Sequence, residues 1–206
     1  LVLFHQVHGA RVLDLREDTV FRRLLTAARR GFPYPKNLRA DGALINIKNI
    51  GGRAVALKTA DCLPIIAFCG DEALLLHAGW RGLAAGIIAA GLSLWNLPQG
   101  SEIDLLLGPC ACGSCYQVGA EVIEAIGRAA VWEQKAGARF LSLERTAEAI
   151  FLESGAAVRL FRFGVCTIED RRFWSYRRQG REAGRNLGFV MARHQFENGH
   201  SRKESV

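Results

Sequence analysis

The chain has 206 residues, half of them hydrophobic, enough for one sizeable core, and a single domain is the default expectation. Its 27 basic residues against 20 acidic ones give a formal charge of +7, which favours anionic partners. The apolar stretches Leu63–Cys69 and Leu74–Leu76 are short and separated by Gly70, Asp71 and Glu72, which excludes a membrane-spanning run and suits buried strands.

The chain opens Leu-Val-Leu-Phe-His-Gln, with no initiator Met, basic n-region or small-residue cleavage site. It is therefore not read as a secretory leader, a cytoplasmic location is expected, and the start of the native chain is expected to lie upstream. Six cysteines without a secretory signal point to free thiols or metal ligands in place of disulfides.

In chain order, Leu1–Gln6 and Arg11–Leu15 read as extended segments around a turn carrying His5 and His8. Thr19–Arg30 reads as a capped amphipathic helix, with Phe21, Leu24, Leu25 and Ala28 on one face. Residues 31–37, with Pro33 and Pro35, form a loop. Ala40–Ile47 and Ala54–Lys58 read as strands. Leu63–Cys69 and Ala73–His77 read as a tight antiparallel pair, which sets Cys62 beside His77 at one end.

Leu83–Trp95 shows helical spacing and Ile103–Leu107 reads as a buried strand. A loop dense in small residues, Gly108–Tyr116, follows. Gly119–Ala130 and Leu143–Ser154 read as helices, and Val158–Val165 and Leu187–Ala192 as strands. Residues 194–206 form a polar tail expected to be disordered, leaving 1–193 as the domain.

Three metal-ligand types stand out: a histidine at the first turn (His8 or His5), Cys62, and His77. Two imidazoles and a thiolate suit zinc with a fourth position left open, the pattern of a catalytic site. Cys62 activated by His77 as a nucleophile is the competing chemistry, and a buried cysteine with two core histidines is the plain structural alternative. Cys110-Ala-Cys112-Gly-Ser-Cys115 looks like a second metal motif, but no fourth donor lies near it in sequence, and an incidental role is expected.

Arg81, Arg177 and Arg178 are anion-binding candidates because guanidinium forks match phosphate oxygens. Asp61, next to Cys62, is a candidate general acid/base, a carboxylate that orients a ligand histidine, or simply a turn-capping group. With no recurring pattern of basic residues and interleaved aromatics, phosphate or a phosphorylated small molecule is preferred to nucleic acid as the anion.

Several motifs, in order, closely resemble the YfiH-like family, also called the laccase-domain or FAMIN family. They are Phe4-His-Gln-Val-His-Gly9, Lys58-Thr-Ala-Asp-Cys-Leu-Pro64, His77-Ala-Gly-Trp-Arg-Gly82, Gly108-Pro109 with Tyr116-Gln-Val-Gly119, Cys166-Thr167, Phe173-Trp-Ser-Tyr-Arg-Arg178, and Gly184-Arg185. The resemblance implies a four-layer α/β/β/α sandwich with mixed sheets and a zinc-dependent purine nucleoside phosphorylase. That enzyme would act on adenosine, inosine and methylthioadenosine, with adenosine deaminase as a side activity.

Carried over by position, the resemblance makes His8, Cys62 and His77 the ligands of one zinc ion, with His5 a neighbour. The residues themselves suggest Arg81, Tyr116, Gln117, Arg177 and Arg178 as substrate-side candidates, with Trp80 either packing or stacking on a base, and Asp61, Cys62 and His77 as the catalytic ones. Gln117 stands where the family has a glutamate, the family's amino-terminal segment is missing, and Thr19–Leu38 looks like an insertion.

The implied partners are purine nucleosides and phosphate, with no membrane and a monomer or homodimer. The family has also been described as a copper polyphenol oxidase and as a peptidoglycan-editing factor. One mononuclear site and a single methionine argue against copper oxidation. A metal-binding scaffold without turnover is the non-enzymatic alternative.

Overall fold

A computed structural model describes residues 1–30 and 35–192. In chain order the elements are β1 (Val2–Leu3), β2 (Val12–Asp14), α1 (Asp18–Arg30), β3 (Gly42–Asn46), β4 (Ala54–Thr59), β5 (Leu63–Cys69), β6 (Glu72–Ala78), α2 (Trp80–Ala84) and α3 (Ile87–Trp95). There follow β7 (Glu102–Leu107), β8 (Gln117–Val118), α4 (Ala120–Ile126), β9 (Trp132–Lys135), β10 (Ala138–Leu141), α5 (Leu143–Glu153), β11 (Ala157–Arg162), α6 (Tyr176–Gln179) and β12 (Asn186–Met191).

The centre is a six-stranded mixed sheet in the order β11-β7-β5-β6-β3-β2. β5 and β6 pair antiparallel, with Pro64 opposite His77 and Leu63 opposite Ala78, so the expected hairpin is present. Its strands are apolar almost throughout because both faces are covered. Leu74 and Leu76 enter one core with Ile65, Ile87, Ile88 and Trp95. Ala73 and Leu75 enter a second core with Val55, Leu57, Phe4 and Leu24. By the same two-residue period, His77 points to the side of this second core.

A three-stranded sheet, β1-β4-β12, contributes the other half of the second core. α3 packs on the opposite face, close enough that a Cβ at Gly91 would meet the Leu74 side chain at 2.9 Å. α1 buries Phe21, Leu24 and Ala27 beside β1 and β2. The fold is a mixed α/β domain with mixed sheets. A third sheet, β8-β10-β9, lies apart from these layers in strand pairing.

The helix expected over Leu83–Trp95 instead starts at Trp80 and is broken in two. Gly86 adopts a left-handed conformation (φ 81°) between α2 and α3, which helical hydrogen bonding cannot continue through. The expected helix over Gly119–Ala130 stops at Ile126, where Gly127 turns to φ 73°. The β9–β10 hairpin has no counterpart among the elements expected from sequence, because β9 is exposed along its whole length, which removes the apolar alternation that marks a strand. The polar tail after 193 lies outside the described residues, as does most of the Pro33–Pro35 loop.

Candidate metal centre

Three loops converge where β4, β5 and β6 end. The first, residues 5–9, is held by Asp41, a fully buried carboxylate just before β3. Asp41 accepts the backbone N–H of Val7 on both oxygens (3.1 Å each), of His8 at 2.8 Å and of Gly9 at 2.7 Å. These bonds stabilise His8 at φ 60°, a left-handed backbone that a residue with a Cβ adopts only when its surroundings over-determine it. The same carboxylate lies 2.9 Å from His77 Nδ1. That contact fixes the imidazole and leaves its Nε2 for a ligand.

The second loop joins β4 to β5. Asp61 sits there at φ 84°, with its carbonyl accepting from Ala111 N–H at 2.9 Å. Cys62 follows, and its Sγ approaches Gly79 so closely that a Cβ at that position would lie 2.7 Å away. The third loop is Ala78–Gly79, leading into α2.

His8, Cys62 and His77 each offer a donor atom, and these lie within 4.8 Å of one another. The two rings meet edge to face, with centroids 4.8 Å apart. Burial pushes the Cys62 thiol up, but hydrogen bonds and charge from His77 and His8 outweigh it and bring the thiol down to about 7. Burial works the other way on His77, and Asp41 and Cys62 override it to raise the imidazole to about 9. The pair therefore supports a thiolate, the ligand form of cysteine. Two imidazoles, one thiolate and a carboxylate that orients one of the imidazoles suit zinc bound through three protein donors.

The centre opens into a cavity of about 900 Å³. Its wall carries Lys58, Arg81, Arg177 and Arg185, a cationic lining for an anionic ligand. Arg81 lies over the Trp80 ring at 4.3 Å and Arg177 over Tyr116 at 4.9 Å. Arg177 Nη1 also donates to Gln117 O at 2.8 Å. Burial is the main cause raising the Tyr116 phenol, to about 12, so it remains a proton donor at neutral pH.

The structure brings together His8, Cys62, His77, Trp80, Arg81, Tyr116 and Arg177 on this wall, together with Asp61. Two candidates stand elsewhere. Gln117 meets the site through its backbone carbonyl and is exposed. Arg178 does not line the cavity: its guanidinium donates to the carbonyls of Thr167, Ile168 and Phe173 at 2.5–2.8 Å, a loop-binding role that consumes its fork.

Both oxygens of Asp61 are engaged, by Thr167 Oγ1 at 2.7 Å and by Arg177 N–H at 2.6 Å. The carboxylate that faces a histidine of the candidate donor set is Asp41, beside His77, and the sequence shows it only as part of an expected strand. A lone aspartate at the start of an apolar run is the one signal it offers there. Lys58, Tyr176 and Arg185 also line the cavity; each falls within a motif of the family resemblance, but the sequence gives none of them a role at the site.

Residues 1–193 match a family model described as "Multi-copper polyphenol oxidoreductase laccase". Purine nucleoside phosphorylase YfiH of Shigella flexneri is 33% identical over 212 residues, covering 92% of this chain and 72% of the relative. Adenosine deaminase RL5, from an unknown prokaryotic organism, is 28% identical over 201 residues, covering 91% and 73%. Among solved structures, a Neisseria meningitidis protein assigned to DUF152 superposes with a TM-score of 0.73 at 26% identity, covering 93% and 74%. Across such relatives the chain spans about two thirds to three quarters of their length.

Proposed function

The chain belongs to the family described as multi-copper polyphenol oxidoreductase laccase, and from that premise we propose that it acts on purine nucleosides, cleaving them with phosphate and, as a side reaction, deaminating adenosine. The observation that carries this reading is the joining of the His8–Cys62–His77 donor set to a cavity of about 900 Å³ lined by four cationic side chains. Relatives named as purine nucleoside phosphorylase and as adenosine deaminase supply the substrate class.

Phosphorolysis requires a phosphate oxygen to bond to C1′ of the ribose while the C1′–N9 bond breaks and its electron pair leaves with the purine. The products are the free base and ribose 1-phosphate. Arg81 and Arg177, stacked on Trp80 and Tyr116, hold the phosphate in place, with Arg185 and Lys58 completing a positive field around it. Fixed charge of this kind stabilises a transition state without reorganisation.

Asp61 acts as a positioning residue, anchoring the Arg177 backbone. Trp80 and Tyr116 provide aromatic walls beside the base, and the Tyr116 hydroxyl keeps its proton near neutrality. His8, Cys62 and His77 would hold the zinc ion, which when bound would supply the Lewis acidity that deamination needs.

The test is incubation of the zinc-loaded protein with inosine, with and without inorganic phosphate. Phosphate-dependent appearance of hypoxanthine and ribose 1-phosphate is the expected result. Intact inosine in both arms overturns the phosphorylase reading. Conversion of adenosine to inosine without phosphate reports the side reaction separately. The family's descriptive name motivates one parallel arm, oxidation of a phenol by copper-loaded protein. Turnover there with inosine untouched favours the oxidase.

A further inference from the structure

The cysteine-rich loop, incidental by its local spacing, gains its missing donors in three dimensions. Cys112, Cys115, Cys166 and Glu169 bring their donor atoms within 4.8 Å of one another. Two chain segments more than 50 residues apart each supply a pair spaced three residues apart, Cys-x-x-Cys from one and Cys-x-x-Glu from the other. We propose that these four residues form a second, structural zinc site, separate from the His8–Cys62–His77 centre.

The backbone holds both pairs in facing turns. Cys115 and Tyr116 N–H donate to Cys112 O at 3.0 and 2.9 Å, closing a turn that points the first two thiols the same way. Asp170 N–H donates to Cys166 O at 2.9 Å, which brings Glu169 alongside Cys166. A parallel bridge between Cys110 and Cys166 locks the two loops together, through Cys110 N–H to Val165 O and Thr167 N–H to Cys110 O, at 3.3 and 2.9 Å. Across this seam the Cys115 thiol donates to Glu169 Oε1 at 3.1 Å, a contact between two of the four donors, and the Cys112 backbone N–H donates to Cys166 Sγ at 3.4 Å.

Zinc would replace the thiol protons. A tetrahedral site with Zn–S distances of about 2.3 Å has sulfur–sulfur edges near 3.8 Å, so the widest donor gap, no more than 4.8 Å, needs to close by about 1 Å, while Cys115 Sγ and Glu169 Oε1, at 3.1 Å, need to part slightly. Three thiolates and one carboxylate fill every position and leave none for water, which marks a structural and not a catalytic ion. Thiolate donors also select a soft or borderline cation over magnesium or calcium. Four anionic donors around a dication leave a net charge of about −2, and the Arg178 guanidinium, bound to carbonyls between Cys166 and Glu169, lies close enough to offset it. This gives Arg178 a structural task in place of the anion-binding one expected from sequence.

The position also gives the ion a purpose. Tyr116 follows Cys115 directly, and Thr167 follows Cys166 and donates to Asp61, which in turn holds Arg177. The ion would therefore staple the loop that leads to Tyr116, a cavity-lining residue, to the loop behind it whose Thr167 anchors Asp61.

Metal analysis of the full chain purified from zinc-supplemented culture tests this. Two zinc ions per chain are expected, falling to one in Cys62→Ala and to one in Glu169→Ala, an exposed residue outside any helix or strand. Cobalt-loaded Cys62→Ala is expected to show strong thiolate-to-cobalt charge-transfer absorption, reduced by about a third in the Cys62→Ala/Cys115→Ser double variant. One zinc ion per wild-type chain with none in Cys62→Ala overturns the site. So does recovery of Cys112 and Cys166, or Cys112 and Cys115, as a disulfide in zinc-loaded protein. The Cys62→Ala measurement leaves the second cluster intact, so the result does not depend on whether variants within it fold.

Discussion

Replacing Asp41 with asparagine separates a carboxylate that orients the metal centre from one that only fills space. The side chain is fully buried and accepts the N–H groups of Val7, His8 and Gly9 while facing His77 Nδ1. In Asp41→Asn one acceptor oxygen becomes an NH₂ donor. If the NH₂ takes the Oδ1 place, the His8 and His77 contacts are lost; if it takes the Oδ2 place, the 2.7 Å bond to Gly9 is lost. Either way at least one charge-assisted bond, worth about 1.5–3 kcal/mol, is replaced by two donors facing each other.

The loop that sets His8 at φ 60° then loosens, and the His77 ring loses its fixed tautomer. Zinc affinity is expected to fall about 10- to 100-fold, the usual effect of removing a group that orients a metal ligand. The assay is zinc competition against a chromogenic chelator, with Asp61→Asn as a control because its contacts run to Thr167 and Arg177 instead. Wild-type zinc affinity in Asp41→Asn, with the control also unchanged, would refute the assignment of Asp41.

Gly79→Ala places a Cβ 2.7 Å from Cys62 Sγ, and is expected to weaken zinc binding by about tenfold or more with an unchanged far-ultraviolet dichroism spectrum; unaltered affinity would show that the approach is not needed. Arg81→Ala is expected to raise KM for phosphate by about 10- to 100-fold, from loss of a charge-assisted contact, and Arg81→Lys to recover only part because it cannot reproduce the stacked fork; steady-state kinetics at varied phosphate decide it. Asp14 is held below the usual carboxylate value of 3.8 by its hydrogen bond to Arg16, against the opposing effect of burial. It favours the fold only when ionised, so its contribution is present above about pH 4 and is lost as the pH falls through the depressed native value. Asp14→Asn should cost about 0.5–1 kcal/mol in urea denaturation at pH 7, with the gap narrowing as the pH is lowered below about 4 and the carboxyl protonates in the folded state; a gap unchanged by acid would contradict the ion pair as its source.

Much of the part of the molecule that holds the candidate metal centre is legible in the residues themselves. The apolar run Ala73–Leu76 of β6 buries itself as a central strand, and two such runs separated by Gly70, Asp71 and Glu72 turn back on each other, which places Cys62 beside His77. Local chemistry of this kind is written in a few adjacent side chains. The helix boundaries are less legible because a left-handed Gly86 or Gly127 ends a helix whose apolar spacing continues past it. The β9–β10 hairpin is invisible because a strand exposed along its length carries no alternation.

The residues alone carry the inventory and the short-range order: which donors exist and which strand ends adjoin. Assignments between distant residues belong to the tertiary structure. It gives the orienting role to Asp41, 36 positions from His77, turns Asp61 toward Arg177, removes Arg178 from the cavity, and brings Cys166 and Glu169 to the loop of Cys112 and Cys115. Apart from the Arg178 contacts, which stay within its own loop, these depend on segments brought together by strand pairing and packing, and no local pattern of side chains encodes that distance.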